Sequence, residues 1–442
     1  MTQAVILAGG KGTRLASRLA GKPKPLIDVD GVPLLQRQID ALAEYGVDDI
    51  VLLVNHAADQ IAAFVEGSKL PARITLIDDG EARGTAGATL ACLDQLEDRF
   101  LVVYGDTLFD LDVENMIAAH IAAAADATLL LHPNDHPADS DLVEIDSVGW
   151  ITAFHPYPRA PGPDFRNLVN AAFYVVEKQA LAPWVRKIGV GDFAKDLFPA
   201  MLADRARLNG HVSFEYIKDI GTPARLEKAE MHLRSGLVRR ARRDCKQRAV
   251  FIDRDGTLNK LNGHISRAED LELFPNAGAA VRRLNDAEYR VVLITNQPVL
   301  ARGECDEDGL ARIHAKLEAA LGVDGAYLDA IHYCPHHPDR GFAGEVAELK
   351  RECACRKPGT AMIETAVEAM NIDLAQSWMI GDSTNDIAMA ARASLRSVLV
   401  ETGEGGRDGK WKAEPTLRAA DFSEAVDRIL AALPDTDLGS NN

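Results

Sequence analysis

The sequence predicts an α/β protein built on two successive sheets of mainly parallel strands. Short Val-, Ile- and Leu-rich runs alternate with amphipathic helical stretches along the chain, which is typical of such sheets. At about 150 residues per domain, 442 residues correspond to two to four domains. Seven Lys or Arg among residues 234–248 separate two sets of predicted strands. We therefore predict domains over 1–235 and 248–432, a basic linker over 236–247 and a frayed tail over 433–442.

The composition excludes several classes of protein. A hydrophobic content of 47% and a charged content of 26% are ordinary for a globular protein, and the net charge of −17 argues against nucleic-acid binding. No apolar run reaches the roughly 18 residues of a membrane span, and residues 1–7 lack the cationic start of a signal peptide. Six cysteines are too few for a disulfide scaffold. We expect a cytoplasmic protein that acts on small molecules and contacts no membrane; a homo-oligomer is compatible with the sequence.

The first predicted strand, residues 4–8, runs into a glycine-rich basic loop, and a second basic element, residues 22–26, follows. Glycines let backbone N–H groups approach an anion closely, and the cationic side chains add positive charge. The spacing matches neither the P-loop nor the dinucleotide fingerprint, and a tight turn would also use glycines. The candidate phosphate-binding residues are Gly9, Gly10, Gly12, Thr13, Arg14 and Lys24.

Together the two elements resemble the signature of the sugar-1-phosphate nucleotidyltransferases, and further matches follow in that family's order over residues 3–232. Gly84-Thr85-Ala86-Gly87-Ala88 is similar to the loop that reads the nucleotide base. Tyr104-Gly105-Asp106 and Asp219-Ile220-Gly221 resemble its two acidic motifs. The resemblance implies that Asp106 and Asp219 bind Mg²⁺ and that Glu144 and Asn170 bind sugar hydroxyls. It also implies that Arg14 and Lys24 stabilise the negative charge of the phosphates.

The chain departs from this family at one point. Many members carry Glu-Lys-Pro after the strand that follows the Asp-x-x-Gly turn, with the lysine near the sugar phosphate. Here Phe154-His155-Pro156 occupies that place, so the lysine is absent. Arg159 and Arg166 are the candidate replacements.

In the second domain, Asp253 and Asp255 directly follow the predicted strand 249–252. Two such carboxyl groups can have different roles in catalysis. One attacks phosphorus, and the other donates a proton to the leaving alcohol. Alone, Asp-x-Asp would equally suit a calcium loop or a turn. Three further motifs follow in order, and these are Thr295-Asn296-Gln297, Lys357-Pro358 and Gly381-Asp382-Ser383-Thr384-Asn385-Asp386.

This ordered set resembles the four motifs of the haloacid dehalogenase superfamily over residues 249–401. The resemblance implies that Asp253 is the nucleophile and that Asp255 is the general acid/base. Mg²⁺ would be held by Asp253, by Asp382 and, through its backbone, by Asp255. The phosphoryl group would be bound by Thr295, Asn296, Arg356 and Lys357.

A cysteine- and histidine-rich insertion precedes Lys357. Its four candidate zinc ligands are Cys334, His336, Cys353 and Cys355. They form a complete tetrahedral set with no open position, which indicates a structural site; buried cysteines without metal are the alternative. The spacing resembles the zinc loop of the heptose-1,7-bisphosphate 7-phosphatases and the related histidinol-phosphate phosphatases, whose pattern favours His336 over the adjacent His337. We expect Cys92, Cys245 and Cys305 to be plain thiols.

The phosphatase resemblance continues in stretches that face the substrate. The matching candidate residues are Asn262, Gly263, His264 and Arg302. Two departures are that Pro298-Val299 replaces a Ser-Gly pair and that Ser383 stands where a lysine often follows the metal-binding Asp. Both resemblances imply Rossmann-like, doubly wound domains, the second carrying the zinc loop.

A phosphatase and a nucleotidyltransferase on one chain suggest consecutive steps. The expected function is bacterial GDP-D-glycero-α-D-manno-heptose synthesis: the 7-phosphate is removed from the heptose 1,7-bisphosphate, and GMP is then transferred from GTP to heptose 1-phosphate. Mg²⁺ would serve both domains. One alternative is a GDP-mannose or other NDP-hexose pyrophosphorylase fused to a histidinol-phosphate-type phosphatase. Another is a first domain that senses sugar phosphates without turning them over.

Overall fold

The computed structural model describes residues 2–10, 12–19, 21–160 and 162–432. The predicted tail, 433–442, lies outside the described residues. The described residues divide into two compact units, the first within 2–132, 139–160 and 168–245 and the second within 133–138, 162–167 and 246–432. Both are α/β with parallel strands, which confirms the predicted fold class.

The first unit contains thirteen described strands and nine described α-helices. Its strands are β1 (Gln3–Leu7), β2 (Asp28–Val29), β3 (Val32–Pro33), β4 (Asp49–Val54), β5 (Arg73–Asp78), β6 (Arg99–Tyr104), β7 (Thr107–Asp110), β8 (Ala127–His132), β9 (Leu142–Ile145), β10 (Ile151–His155), β11 (Val169–Glu177), β12 (Leu208–Val212) and β13 (Tyr216–Asp219). Its helices are α1 (Ala16–Leu19), α2 (Leu34–Glu44), α3 (Ala58–Gly67), α4 (Gly84–Ala91), α5 (Val113–Ala123), α6 (Lys178–Leu181), α7 (Phe198–Ala203), α8 (Pro223–Arg234) and α9 (Leu237–Arg240).

The main sheet of this unit is mixed. Its order is β10-β9-β11-β6-β1-β4-β5, with β8 between β11 and β12 off this path. Strands β6, β1, β4 and β5 are parallel, whereas β9, β10 and β11 pair antiparallel to their neighbours. Successive residues of β1 alternate between two cores, Val5 in one and Ala4 and Ile6 in the other. Both faces of the sheet are therefore covered, as doubly wound sheets require.

The second unit has one sheet of six parallel strands in the order β16-β15-β14-β17-β18-β19. The strands are β14 (Arg248–Ile252), β15 (Tyr289–Asn296), β16 (Ala330–Cys334), β17 (Trp378–Gly381), β18 (Arg396–Val400) and β19 (Leu417–Ala419). The helices are α10 (Ala277–Asp286), α11 (Pro298–Ala301), α12 (Glu307–Gly322), α13 (Ala361–Met370), α14 (Thr384–Arg392) and α15 (Phe422–Ala431). The predicted strand 249–252 lies in β14, and the apolar runs at 291–295 and 378–380 lie in β15 and β17.

The segment predicted as a basic linker contains α9, and residues 236–245 belong to the first unit. Val238 and Ala241 are buried in that unit with Leu226 and Ala229 of α8. Helix α8 and the segment that contains α9 thus share one apolar cluster. Within the described residues, no helix combines the length and the apolar character that a membrane crossing requires.

Candidate active sites of the two units

The glycine loop of the first unit closes against a buried lysine. Gly12 has a φ of +61°, and a Cβ placed there would lie 2.9 Å from Leu19 Cδ1 and 3.1 Å from Lys24 Cβ. Only glycine satisfies both the backbone conformation and the close approach. Lys24 is 9% exposed, and its Nζ lies 2.5 Å from Asp106 Oδ2. The structure therefore brings together two predicted site residues that are far apart in sequence.

A two-stranded sheet places the two predicted Mg²⁺ ligands of this unit side by side. Strand β7 pairs antiparallel with β13, which sets Thr107 opposite Asp219. The amide of Ile220 donates to the backbone carbonyl of Asp106 at 3.0 Å. Asp106 and Asp219 thus flank a single backbone pairing. Their carboxylate oxygens are the donors that Mg²⁺ prefers, so the residues fit such an ion.

Asp219 lies among positive groups. Its Oδ2 pairs with Arg225 Nη1, and its Oδ1 accepts from the Gly221 amide at 2.6 Å. Arg14 Nη2 lies 3.2 Å from the point that a Cβ on Gly221 would occupy. Arg14, predicted to stabilise phosphate charge, is therefore at the same end of the sheet as Asp219.

The loop predicted to read the base has a packing role in the structure. Helix α4 begins at Gly84, whose φ is +72°, and a Cβ there would lie 2.5 Å from the Gly191 carbonyl oxygen. The hydroxyl of Thr85 donates to Asp192 Oδ2 at 2.7 Å and accepts from the Tyr104 hydroxyl at 3.0 Å. These contacts give Gly84 and Thr85 a structural role that needs no bound nucleotide. Recognition of the nucleotide base by this loop stays a prediction.

Glu144 and Asn170, predicted to bind sugar hydroxyls, lie on the neighbouring strands β9 and β11. His155, which stands in place of the absent lysine, has its Nε2 3.2 Å from Glu144 Oε1. Of the two candidate replacements, Arg159 donates to backbone carbonyls, that of His155 among them, whereas Arg166 pairs with Glu318. His155 is thus the basic side chain that contacts Glu144.

In the second unit, the predicted nucleophile lies at the carboxyl end of the central strand. Asp253 follows β14, between Thr295 of β15 and Asp382 after β17, because both strands flank β14 in parallel. Ligands bind at this edge of an open α/β sheet. Lys357 Nζ lies 2.6 Å from Asp253 Oδ1, and the Lys357 amide donates to Asn296 Oδ1 at 3.0 Å. The residues predicted from four separate motifs therefore meet here.

Three buried carboxylates surround this lysine. Ligand oxygens of Asp253, Asp382 and Asp386 all lie within 4.8 Å of one another, and Lys357 Nζ is 2.7 Å from Asp386 Oδ1. Burial raises the pKa of Asp253 and of Asp382, and the Asp386 carboxylate adds to both shifts. Burial alone would lower the pKa of Lys357, but Asp253 and Asp386 outweigh it and raise that pKa. Three carboxylates facing one ammonium group fit a hard divalent cation.

Asp386 was not among the predicted metal ligands, although it belongs to a quoted motif. It is fully buried near the start of α14, where its Oδ2 accepts from the amide and hydroxyl of Ser383. A Cβ on Gly381 would lie 2.3 Å from the Asp386 Cβ, so a glycine is required there. The signal that could have identified it is the spacing of four residues from Asp382 across a strand-to-helix turn.

The carboxylate of Asp255 lies outside this cluster of three. It accepts hydrogen bonds from Arg254, from Asn259 Nδ2 at 3.0 Å and from Gln297 Nε2 at 3.1 Å. Burial alone would raise the pKa of Asp255, but the charge and hydrogen bonds of Arg254 outweigh it and hold that pKa below its usual range. Its predicted contact with Mg²⁺ through the backbone does not require the carboxylate.

The four predicted zinc ligands form one cluster. Their ligand atoms lie within 4.8 Å of one another, and the three Sγ–Sγ distances are 3.1, 3.3 and 3.5 Å. Tetrahedral zinc with Zn–S bonds of about 2.3 Å separates its sulfurs by roughly 3.7 Å, so small adjustments suffice and the residues fit the ion. His336 presents Nδ1, 3.3 Å from Cys355 Sγ. The adjacent His337 instead accepts through Nδ1 from the Asp339 amide at 3.2 Å.

Of the predicted substrate-facing residues, Asn262, Gly263 and His264 are exposed and Arg302 is half-buried. Arg302 Nη1 is 2.9 Å from His264 Nδ1, and the Arg302 guanidinium lies 4.5 Å from the centroid of the Phe342 ring. Asn262 and Gly263 are exposed in the preceding loop. Arg356 donates to the His336 carbonyl at 3.2 Å, which ties it to the zinc-ligand loop.

Comparisons with known proteins identify families that the two units resemble. A nucleotidyl transferase family model matches residues 3–236, and a HAD-hydrolase-like model matches residues 354–425. The chain is 38% identical over 176 residues to D-glycero-beta-D-manno-heptose-1,7-bisphosphate 7-phosphatase of Haemophilus ducreyi, covering 39% of this chain and 94% of that protein. It is 40% identical over 190 residues to D-glycero-D-manno-heptose-1,7-bisphosphate 7-phosphatase of Thermosynechococcus vestitus, covering 42% and 96%. A crystal structure of HddC from Yersinia pseudotuberculosis complexed with GMP-PN is 26% identical, with a TM-score of 0.46 and coverage of 53% and 100%.

Proposed function

The chain belongs to the nucleotidyl transferase family and, in a second region, to the HAD-like phosphatases, and on this basis we propose a bifunctional enzyme of GDP-D-glycero-α-D-manno-heptose synthesis. The second unit removes the 7-phosphate of D-glycero-α-D-manno-heptose 1,7-bisphosphate. The first unit then transfers GMP from GTP to the resulting heptose 1-phosphate. The observation that carries the proposal is the buried Asp253–Lys357 pair at the strand ends of a unit whose relatives are named heptose bisphosphate phosphatases.

The phosphatase step proceeds through an aspartyl-phosphate. A carboxylate oxygen of Asp253 attacks phosphorus, a new O–P bond forms, and the bond between phosphorus and the sugar C7 oxygen breaks. The leaving alkoxide takes a proton from Asp255, so this step uses the protonated form of a carboxyl group whose pKa Arg254 lowers. Water then cleaves the acyl phosphate and gives its proton to Asp255, which restores both carboxyl groups. Lys357 and Thr295 bind the phosphoryl oxygens throughout.

Mg²⁺ held by Asp253, Asp382 and Asp386 would, when bound, neutralise charge on the transferring phosphoryl group. The third carboxylate extends the predicted set because it lies in the same buried cluster. The backbone of Asp255 completes the predicted ligands.

The transferase step requires little covalent chemistry from the protein. An oxygen of the sugar 1-phosphate attacks the α-phosphorus of the nucleotide, and pyrophosphate leaves. Arg14 and Lys24 stabilise the charge on the phosphates, while the Asp106 contact holds the Lys24 ammonium in a fixed place. Asp106 and Asp219 would hold Mg²⁺, which would neutralise negative charge on the phosphates.

Cys334, His336, Cys353 and Cys355 would hold a structural zinc, which would join the two ends of the loop that precedes Lys357. Three reduced cysteines in one metal site suit a reducing compartment, so the proposal places the protein in the bacterial cytoplasm. The anomer and the base rest on the pairing of the two activities, since the name of the Haemophilus ducreyi relative specifies the beta sugar.

Product analysis of the purified full-length chain tests the proposal. The α and β anomers of heptose 1,7-bisphosphate are each supplied with GTP, ATP, CTP or UTP and Mg²⁺, and inorganic phosphate and pyrophosphate are measured separately. We expect phosphate release from the α anomer and pyrophosphate release with GTP alone. Preference for the β anomer or for another nucleotide would contradict the pathway. Turnover of histidinol phosphate and mannose 1-phosphate without turnover of heptose phosphates would favour the fused-hexose alternative.

A further inference from the structure

A buried arginine lies directly between the two aspartates of the phosphatase loop. Arg254 is 0% exposed, and a charged side chain so deeply buried is stable only when it is paired. Its Nε donates to Asp255 Oδ1 at 3.1 Å and its Nη2 to Asp255 Oδ2 at 2.9 Å. The two parallel hydrogen bonds fix the plane of the Asp255 carboxyl group as well as its position.

Gln297 ties this pair to the neighbouring strand. It is 1% exposed, and its Oε1 accepts from Arg254 Nη2 at 2.9 Å. Because a guanidinium can only donate, this contact defines which end of the amide carries the oxygen. The Gln297 Nε2 group therefore donates to Asp255 Oδ2 at 3.1 Å and to Thr295 Oγ1 at 2.8 Å. One amide thus joins the general acid/base to a residue of the phosphoryl site.

The hydrogen bonds divide evenly between the two oxygens of Asp255. Oδ1 accepts from Arg254 and from Asn259, which is fully buried, and Oδ2 accepts from Arg254 and from Gln297. Four donors around one carboxyl group determine its side-chain conformation more strongly than packing alone would. Groups that orient a catalytic side chain in this way commonly affect rate without touching the substrate.

We propose that Gln297 and Arg254 are positioning residues, which fix the orientation from which Asp255 passes its proton to the leaving alcohol. The inference rests on the proposed phosphatase function and adds two residues to it. A positioning role for proton transfer predicts a difference between two kinds of substrate. An alcohol leaving group needs the proton, whereas p-nitrophenolate leaves readily without one. Loss of Gln297 should therefore matter for a sugar phosphate and little for p-nitrophenyl phosphate.

Single-turnover kinetics with Gln297→Met test this predicted difference between the two substrates. With the full-length enzyme in excess over substrate, the release of heptose 1-phosphate or p-nitrophenolate reports cleavage of the ester before hydrolysis of the aspartyl-phosphate. We expect cleavage of heptose 1,7-bisphosphate to slow by about tenfold or more and cleavage of p-nitrophenyl phosphate to change little. On an Asp255→Asn background, Gln297→Met should add no further loss.

Two further variants complete the design. Gln297→Glu preserves the side-chain volume and the acceptor for Arg254 but cannot donate, so the same selective loss is expected if the methionine variant does not fold. Gln376→Met is the matched control, because Gln376 donates to Asp373 Oδ2 at 2.8 Å in an exposed turn. Retained nucleotidyl transfer in the same preparations shows that the first unit is intact.

Equal losses on the two substrates would overturn the inference, since they would indicate a role in phosphoryl binding through Thr295 or in packing. An unchanged rate on both would overturn it as well. Wild-type enzyme that cleaves p-nitrophenyl phosphate and no alkyl phosphate would overturn the proposed substrate together with this inference. Wild-type activity on heptose bisphosphate with unselective losses would overturn the inference alone.

Discussion

At the scale of single residues, the phosphatase site depends on one ammonium group that serves two carboxylates. Lys357 lies within 2.7 Å of both Asp253 and Asp386, and all three side chains are buried. Without the ammonium, several carboxylates in this cavity could not all stay ionised, because like charges in a buried site raise one another's pKa. The lysine therefore favours the anionic form of Asp253, the proposed nucleophile, and so opposes the burial that raises the pKa of that carboxyl group.

Asp253→Asn should abolish phosphatase activity and leave nucleotidyl transfer nearly unchanged. An amide cannot form the aspartyl-phosphate, so phosphate release should fall by at least about 10³-fold. Both activities are measured on one preparation, and Asp308→Asn, at an exposed position in the first turn of α12, is the control. Equal loss of the two activities in a folded protein would contradict separate sites.

The site residues that could be predicted from the sequence are those whose chemical role can be recognised from a short motif. Asp253 and Asp382 each follow a recognisable strand, so their convergence follows from parallel pairing, whereas Lys357 lies in the loop before α13. Asp386 was missed because its burial depends on the turn that α14 makes after β17. The packing role of Thr85 was missed as well, because its partner Asp192 is 107 residues away.

At the scale of structural elements, the zinc-ligand cluster should hold about one zinc per chain. It joins the loop after β16 to the segment just before Lys357, and structural zinc contributes on the order of 10 kcal/mol to such a fold. Cys353→Ser should therefore lower both the zinc content and the melting temperature, whereas Cys245→Ser should change neither. Metal analysis of freshly purified, unchelated protein and a thermal scan measure the two effects. Zinc-free wild-type protein would refute the site.

Strand positions were predictable and strand partners were less so. The runs at 51–54 and 101–104 are apolar throughout, and they lie in β4 and β6 of the buried parallel region. The antiparallel direction of β11 against β6 was not predicted, because the apolar pattern of a buried strand is the same for either direction. Direction depends on the connections between strands, which here span long and irregular segments.

At the scale of the whole molecule, the predicted boundary near residues 236–247 and the division after residue 245 lie close together. The change from a basic segment to an apolar strand provides that signal. The assignment of residues 133–138 and 162–167 to the second unit has no comparable signal, because their composition does not differ from that of the surrounding loops. Such segments are assigned by contacts between distant parts of the chain.

The order of the two reactions is also a property of the whole molecule. In the proposed pathway, the phosphatase must remove the 7-phosphate and spare the 1-phosphate, because the transferase would use the 1-phosphate as its nucleophile. We propose that Arg302, which contacts His264, and Arg356, which donates to the His336 carbonyl, hold the 1-phosphate end of the sugar while its 7-phosphate is cleaved.

Asp106→Asn should therefore stop the sequence at heptose 1-phosphate. The amide offers Mg²⁺ a neutral oxygen in place of a carboxylate, and it deprives Lys24 of its ion pair at 2.5 Å. With α-heptose 1,7-bisphosphate, GTP and Mg²⁺, the wild-type chain should release phosphate and pyrophosphate and form GDP-heptose without other proteins. The variant should release phosphate at the wild-type rate and almost no pyrophosphate, while Asp98→Asn, at an exposed position before β6, should behave as the wild type. Undiminished pyrophosphate release by Asp106→Asn would exclude this carboxylate from the transferase site, and a parallel loss of phosphate release would mean that the two steps do not run on independent residues.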